Sequence, residues 1–239
     1  MRNHANKPIC ALDERNANKY LIFSSQIKIL RKRFKATENN TKMETLIVYA
    51  NPNMGGHCHA MLESVKTQLA ARNEAYTLID LNAQKYDPVL HVDELYTTRG
   101  TAISEQTKYY MDLIRDAKRL IFIYPVWWNS MPAIMKGFFD KVFISKFAFR
   151  YKRFPIINAT LPVGLLKGRK AVVFVSTGGP NLAAAIFLGN RYKKLIKRDI
   201  LGFCGIKTKL FAMHNCLEWN ETKKKLADKI VARGLRTLF

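Results

Sequence analysis

A chain of 239 residues, 48% apolar and 24% charged, can bury one sizeable core, which excludes an intrinsically disordered protein. No apolar run reaches the roughly 18 residues of a membrane-spanning helix, and Cys10, Cys58, Cys204 and Cys216 are far apart with no CxxC pair, which argues against a disulfide framework or a zinc knuckle and for a reduced, cytoplasmic protein. The net charge of +22 favours anionic partners: nucleic acid, acidic lipid headgroups and phosphorylated ligands are all admissible, beside the plainer reading of a solvated lysine-rich surface.

The charge is uneven. Residues 1–43 carry 10 basic and 3 acidic side chains, residues 44–145 carry 10 and 11, and residues 146–239 carry 20 and 4. The first segment reads as a basic extension, either disordered or upstream of a true start at Met43. Within it Phe23, Ile27, Leu30 and Phe34 form a helical stripe among Lys and Arg, the pattern of a basic amphipathic helix that lies on an anionic membrane or docks on a partner. Residues 44–239 read as the folded domain.

Thr45 to Ala50 is a buried strand running into NPNMGGHCHA, after which Leu62, Val65 and Leu69 mark a helix. A strand, a Gly-bearing turn and a helix start form a natural phosphate site, with backbone N–H groups around Gly55, Gly56 and His57 as the holders. The turn is neither GxGxxG nor GxxxxGK[ST]. His57, Cys58 and His59 could be read as metal ligands, but alternate residues at a helix start diverge and no acidic partner stands near, so no metal is expected. Ala75 to Leu81 is the second strand. A polar connection over 82–103 is longer than a compact domain leaves idle, and Ser104 caps a helix over 105–116.

Lys118 to Tyr124 is the third strand, buried on both faces. It leads into Pro125, Val126, Trp127, Trp128 and Asn129, then Pro132 in the first turn of a helix whose Ile134, Phe138 and Val142 share one face. Adjacent tryptophans are hard to bury from one loop, so a flat ligand explains them better than a core. In FISKFAFRYKRF the aromatics alternate with cations, which suits a pocket wall at Phe147 and Phe149 better than single-stranded nucleic acid. Ala171 to Ser176 is the fourth strand and ends in Thr177, Gly178 and Gly179, where the backbone can approach a ligand closely. A basic helical patch, Arg191, Lys193, Lys194, Lys197 and Arg198, comes next, then a fifth strand over 207–213 and a closing helix over 218–235.

Pro125, Trp128, Pro132, Ala133, Lys136, Gly137, Asp140, Val142 and Phe143 together resemble the flavodoxin-like NAD(P)H:quinone oxidoreductases. Pro52, Asn53, His59 and Ala60 match the first loop of that family, and the Thr177-Gly178-Gly179 turn matches another of its segments. The likeness spans about residues 44–238. It implies a doubly wound α/β fold with a five-stranded parallel sheet in the order 2-1-3-4-5 and helices on both faces. It also implies FMN or FAD as cofactor, NAD(P)H as donor and a quinone or similar flat acceptor, reduced by hydride transfer in ping-pong fashion. The cofactor residues would be Asn51, Gly55, Gly56 and His57 for the phosphate, Pro125, Val126, Trp127, Trp128 and Asn129 on one side of the ring, and Ser176, Thr177, Gly178 and Gly179 on the other. Trp128, Phe147 and Phe149 would face the substrate.

The resemblance further implies a homodimer, with the 82–103 connection at the subunit contact. A regulatory flavoprotein on a membrane potassium transporter, peripheral to the membrane, is the alternative. Nucleic acid is not expected as a partner. Two departures stand out in the first loop, Asn51 in place of a His and Gly56 in place of a Ser. After the Gly pair, Ala184 and Asn190 occupy the positions of a Tyr and a His that handle protons in the animal enzymes, so no catalytic side chain is assigned.

Overall fold

The computed structural model describes residues 44–95, 103–154, 156, 158–180, 182, 186 and 189–239. The amphipathic stripe at Phe23 to Phe34 and Ala184 lie outside them. Five strands form one sheet: β1 (Thr45–Tyr49), β2 (Tyr76–Asp80), β3 (Arg119–Pro125), β6 (Lys170–Ser176) and β7 (Lys207–Met213). Their spatial order is β2-β1-β3-β6-β7 and every pairing is parallel. Counting only these five, the order is 2-1-3-4-5, as expected. The two further strands, β4 (Phe149–Phe154) and β5 (Ala159–Gly164), pair antiparallel in a separate hairpin.

The inner strands are apolar throughout because both faces are covered. Along β3, Leu120, Phe122 and Tyr124 point into one core and Ile121 and Ile123 into the other; in β6 Ala171, Val173 and Val175 part from Val172 and Phe174 in the same way. Helices α2 (Glu105–Asp116) and α3 (Ala133–Val142) cover the first face together with α4 (Arg191–Lys194), which continues as a π-helical turn over Leu195–Ile200. Helices α1 (His57–Ala70) and α5 (Glu221–Leu238) cover the second. α5 begins three residues later than the apolar spacing indicates, because the Asn220 side chain accepts from Lys223 N–H and caps it there.

The described part of the 82–103 connection is clamped to α3. Lys141, 7% exposed, lies 2.9 Å from Glu94 and donates to the Val89 carbonyl at 3.0 Å. Gly137 allows this closeness, since a Cβ there would stand 2.2 Å from the Pro88 carbonyl oxygen.

The hairpin departs from the expected pocket wall. Phe147 and Phe149 lie at the amino end of the sheet, remote from the turns that follow the strands. Arg115, in the last turn before β3, stands 5.6 Å over the Phe147 ring, and Phe149 packs edge-on against Phe203, just ahead of β7, at 4.9 Å. The reason is topological: α3 carries the chain from the carboxyl end of β3 to the opposite edge before the hairpin begins.

Candidate functional site

Four turns meet at the carboxyl end of the sheet, and backbone bonds tie them together. Ala50 N–H donates to Ile123 O at 3.0 Å, Val126 N–H to Ser176 O at 2.8 Å, Thr177 N–H to Met213 O at 2.9 Å and Cys216 N–H to Thr177 O at 2.9 Å. Such a crevice is where open parallel sheets bind ligands.

In the first turn the buried Asn51 side chain accepts from Asn53 N–H at 3.3 Å and donates to its carbonyl at 3.2 Å, while Asn53 Oδ1 accepts from Gly55 N–H at 2.8 Å. These Asx turns deliver the chain to Gly56, an extended N-cap with no side-chain cap, and no acidic residue occupies the first turn of α1. The helix therefore presents bare N–H groups and its positive dipole end outward. The three residues of the HisCysHis run diverge. His57 places Nε2 3.0 Å from the Glu218 carbonyl and meets Trp219 edge-on at 5.1 Å. Burial, helped by Lys223, holds its pKa below the usual histidine value against the opposing pull of the Glu218 carbonyl. Cys58 is buried with Sγ 3.1 Å from Ser176 Oγ, and burial pushes its thiol up to about 12. It is thus a packed thiol that links the first turn to the third.

In the second turn Trp127 and Ser130 exchange both backbone bonds, at 3.0 and 2.9 Å. The two residues between them, Trp128 and Asn129, have φ of 50° and 54°. This two-residue reversal holds the tryptophans at the rim: Trp127 is 48% exposed and Trp128 fully exposed. Pro132 is the N-cap of α3 rather than part of its first turn.

The third turn starts from buried Ser176 and Thr177. The Thr177 hydroxyl donates to the Gly179 carbonyl at 3.0 Å and lies 2.9 Å from His214 Nδ1. With its single proton on the carbonyl the hydroxyl accepts from the imidazole, which carries its hydrogen on Nδ1. Burial and, after it, Lys193 hold the pKa of His214 below the usual value. Gly178 and Gly179 present naked backbone: a Cβ added at Gly179 would meet nothing within 4 Å, and one at Gly178 only the Leu217 side chain at 3.5 Å.

Sequence reasoning missed the fourth turn, 214–220, which brings His214, exposed Leu217 and Trp219 to the other three. Its signal was the third tryptophan, standing between the last strand and the closing helix. Beside the first turn, a cleft of about 650 Å³ opens between α1 and α5, lined among others by Gly55, Gly56, His59, Trp219 and Lys224. Asn190, which sits where the animal enzymes have a His, is the left-handed N-cap of α4, and its Oδ1 is buried with no partner.

Known proteins share both the sequence and the architecture. The chain is 25% identical over 187 residues to an uncharacterized NAD(P)H oxidoreductase of Haemophilus influenzae, a match covering 77% of this chain and 90% of that one. With an FMN-dependent NADH:quinone oxidoreductase of Clostridium perfringens it shares 38% identity over 133 residues, which is 54% of this chain and 62% of the relative. A Streptococcus mutans protein of known crystal structure superposes with a TM-score of 0.70 and 33% identity, over 81% of this chain and all of the other. Residues 43–233 match a family model described as flavodoxin-like fold, and the chain belongs to that flavodoxin-like family.

Proposed function

We propose that the protein is a flavin-dependent NAD(P)H oxidoreductase that passes two electrons to a quinone or a similar flat acceptor, with FMN as its cofactor. The observation that carries this reading is the pairing of the Trp127-Trp128 turn with the bare Gly178-Gly179 turn on adjacent strands, next to an uncapped helix start. The residues suit the group. A phosphate needs N–H donors and positive potential, which the backbone from Gly56 to Cys58 offers without a competing acid, while the Gly55 N–H is already taken by Asn53. A ring needs a surface free of Cβ atoms on one side and an aromatic or apolar cover on the other.

On this reading Asn51 and Asn53 hold the first turn in its cradling shape. Pro125 to Asn129 and Ser176 to Gly179 embrace the ring, and His214 keeps the Thr177 hydroxyl aimed at the Gly179 carbonyl, which fixes that turn. A bound flavin supplies hydride chemistry with NAD(P)H and the acceptor in turn, while the protein contributes position and a dry, polarised edge. The names of the relatives support FMN and NADH; a cofactor with a second nucleotide would extend into the cleft between α1 and α5. Phe147 and Phe149 could wall the substrate only from a second copy, which is how a homodimer enters the proposal.

The test is to load the purified protein with FMN, record its visible spectrum, and add NADH or NADPH and then a quinone under anaerobic conditions. Retained flavin that bleaches with the nicotinamide and recovers with the quinone is the expected result. Failure to retain flavin after loading would overturn the reading.

A further inference from the structure

The β4–β5 hairpin enters the proposed function only through Phe149, at its base. It is an antiparallel ribbon outside the main sheet, anchored at its base by Phe149 on Phe203 and by the Leu165 N–H to Ala148 O bond at 2.9 Å. Beyond the base it is largely exposed. No carboxylate occurs between Asp140 and Asp199, whereas Lys146, Arg150, Lys152, Arg153, Lys167 and Arg169 lie in or beside the ribbon. Among the described residues no acidic side chain pairs with Arg150, Lys152 or Arg153.

Strand alternation sorts the side chains. Phe149, Tyr151 and Arg153 share one face, and Phe149 turns that face toward the body at the base. The other face carries cross-strand pairs of a cation with an aliphatic residue: Arg150 opposite Val163 and Lys152 opposite Leu161, with Phe154 opposite Ala159 nearest the tip. Lys152 Nζ lies 5.6 Å over the Phe154 ring. At the tip Ile156 is 99% exposed, and Leu161 is 42% exposed.

We propose that this face and tip dock the protein on an anionic lipid bilayer, with Ile156 entering the headgroup boundary and Arg150 and Lys152 lying against acidic headgroups. Charge complementarity selects an anionic partner, and the apolar chemistry selects lipid over nucleic acid. Stacking on bases needs open aromatic faces, but the one ring on this face is half-buried beneath Lys152, while the fully exposed group is aliphatic and gains only from hydrocarbon. The inference is independent of the redox reading, and a surface-bound enzyme would stand where apolar acceptors dissolve.

The test is flotation of the full chain with vesicles of phosphatidylcholine alone and of phosphatidylcholine mixed with phosphatidylglycerol. Binding is expected only to the mixed vesicles and should weaken with salt. Arg150→Gln with Lys152→Gln should lower the partition coefficient about fivefold per cation, and Ile156→Ser should lower it at unchanged salt dependence. Lys225→Gln with Lys229→Gln, on the exposed side of α5, should leave the hairpin-specific loss absent. Circular dichroism melts of all variants should match the parent. No binding to mixed vesicles, or binding indifferent to the hairpin variants, would overturn the proposal. So would binding of a single-stranded oligonucleotide that the Arg150 and Lys152 changes weaken while vesicle binding stays unaffected, or hairpin variants that shift only self-association.

Discussion

Trp128 holds a backbone conformation that a bulky L-residue rarely adopts, at a cost of roughly 1–2 kcal/mol that the turn must offset elsewhere. Among the described residues nothing gains from its ring, which is fully exposed. A strained residue that contributes nothing to packing is best explained by what it contacts when a ligand is bound. Trp128→Gly would relieve the strain and remove the ring together. The expected outcome is a thermal midpoint no lower than the parent's, with FMN dissociation or the quinone KM raised by an order of magnitude. A lower midpoint with unchanged ligand constants would show that the ring serves folding. This residue was legible in the sequence as a rim aromatic, because two adjacent tryptophans are hard to bury from one loop. Its left-handed backbone was not, since nothing in Trp-Asn resembles the Asn-Gly pairs that normally announce such a turn.

Among the elements, α3 and the connection it clamps show how a family motif acts physically. In the KGxxD stretch, Lys136 and Asp140 form an exposed i,i+4 pair at 2.6 Å worth little on its own. Gly137 and Lys141 matter more, because they press the Pro88–Glu94 segment onto the helix. Breaking a buried pair strands its partner, so Lys141→Met should cost about 3 kcal/mol and lower the melting midpoint by about 10 °C. Adding Glu94→Leu should recover much of the loss. A single variant as stable as the parent would mean that the segment is held by other contacts.

The inner strands β1, β3 and β6 could be read in advance because burial on both faces leaves continuous apolar runs. The hairpin strands could not, since FRYKRF and ATLPVG are exposed on most of their surface and carry no burial signal. Likewise the cores join residues far apart in sequence. The contact of His57 with Glu218 and Trp219 spans a separation that no local pattern encodes, and so the fourth turn of the site stayed hidden.

At the scale of the whole molecule, charge is the feature that sets the response to solution conditions. Residues 44–145 sum to −1 and residues 146–239 to +16, so the folded region carries +15. Apart from Glu74 and Glu44 with Arg119, and Glu94 with Lys141, the described ion pairs are exposed and mostly within one helix. Salt therefore weakens attractions that contribute little and screens a repulsion that is large, with a screening length of about 10 Å at 0.1 M. The melting midpoint at neutral pH should rise with added sodium chloride; a steady fall would mean that the ion pairs dominate. Acid should act in the opposite direction for a second reason. His57 and His214 are held below the ordinary histidine range by burial and by Lys223 and Lys193. The unfolded chain therefore binds more protons than the native one as pH falls through about 6.5, and stability declines across that window. Salt should restore the part of this loss that comes from general repulsion but not the part that comes from charging two partly buried rings. Replacing both histidines by Gln should flatten the residual slope, and a slope unchanged in the double variant would assign the acid sensitivity to other groups.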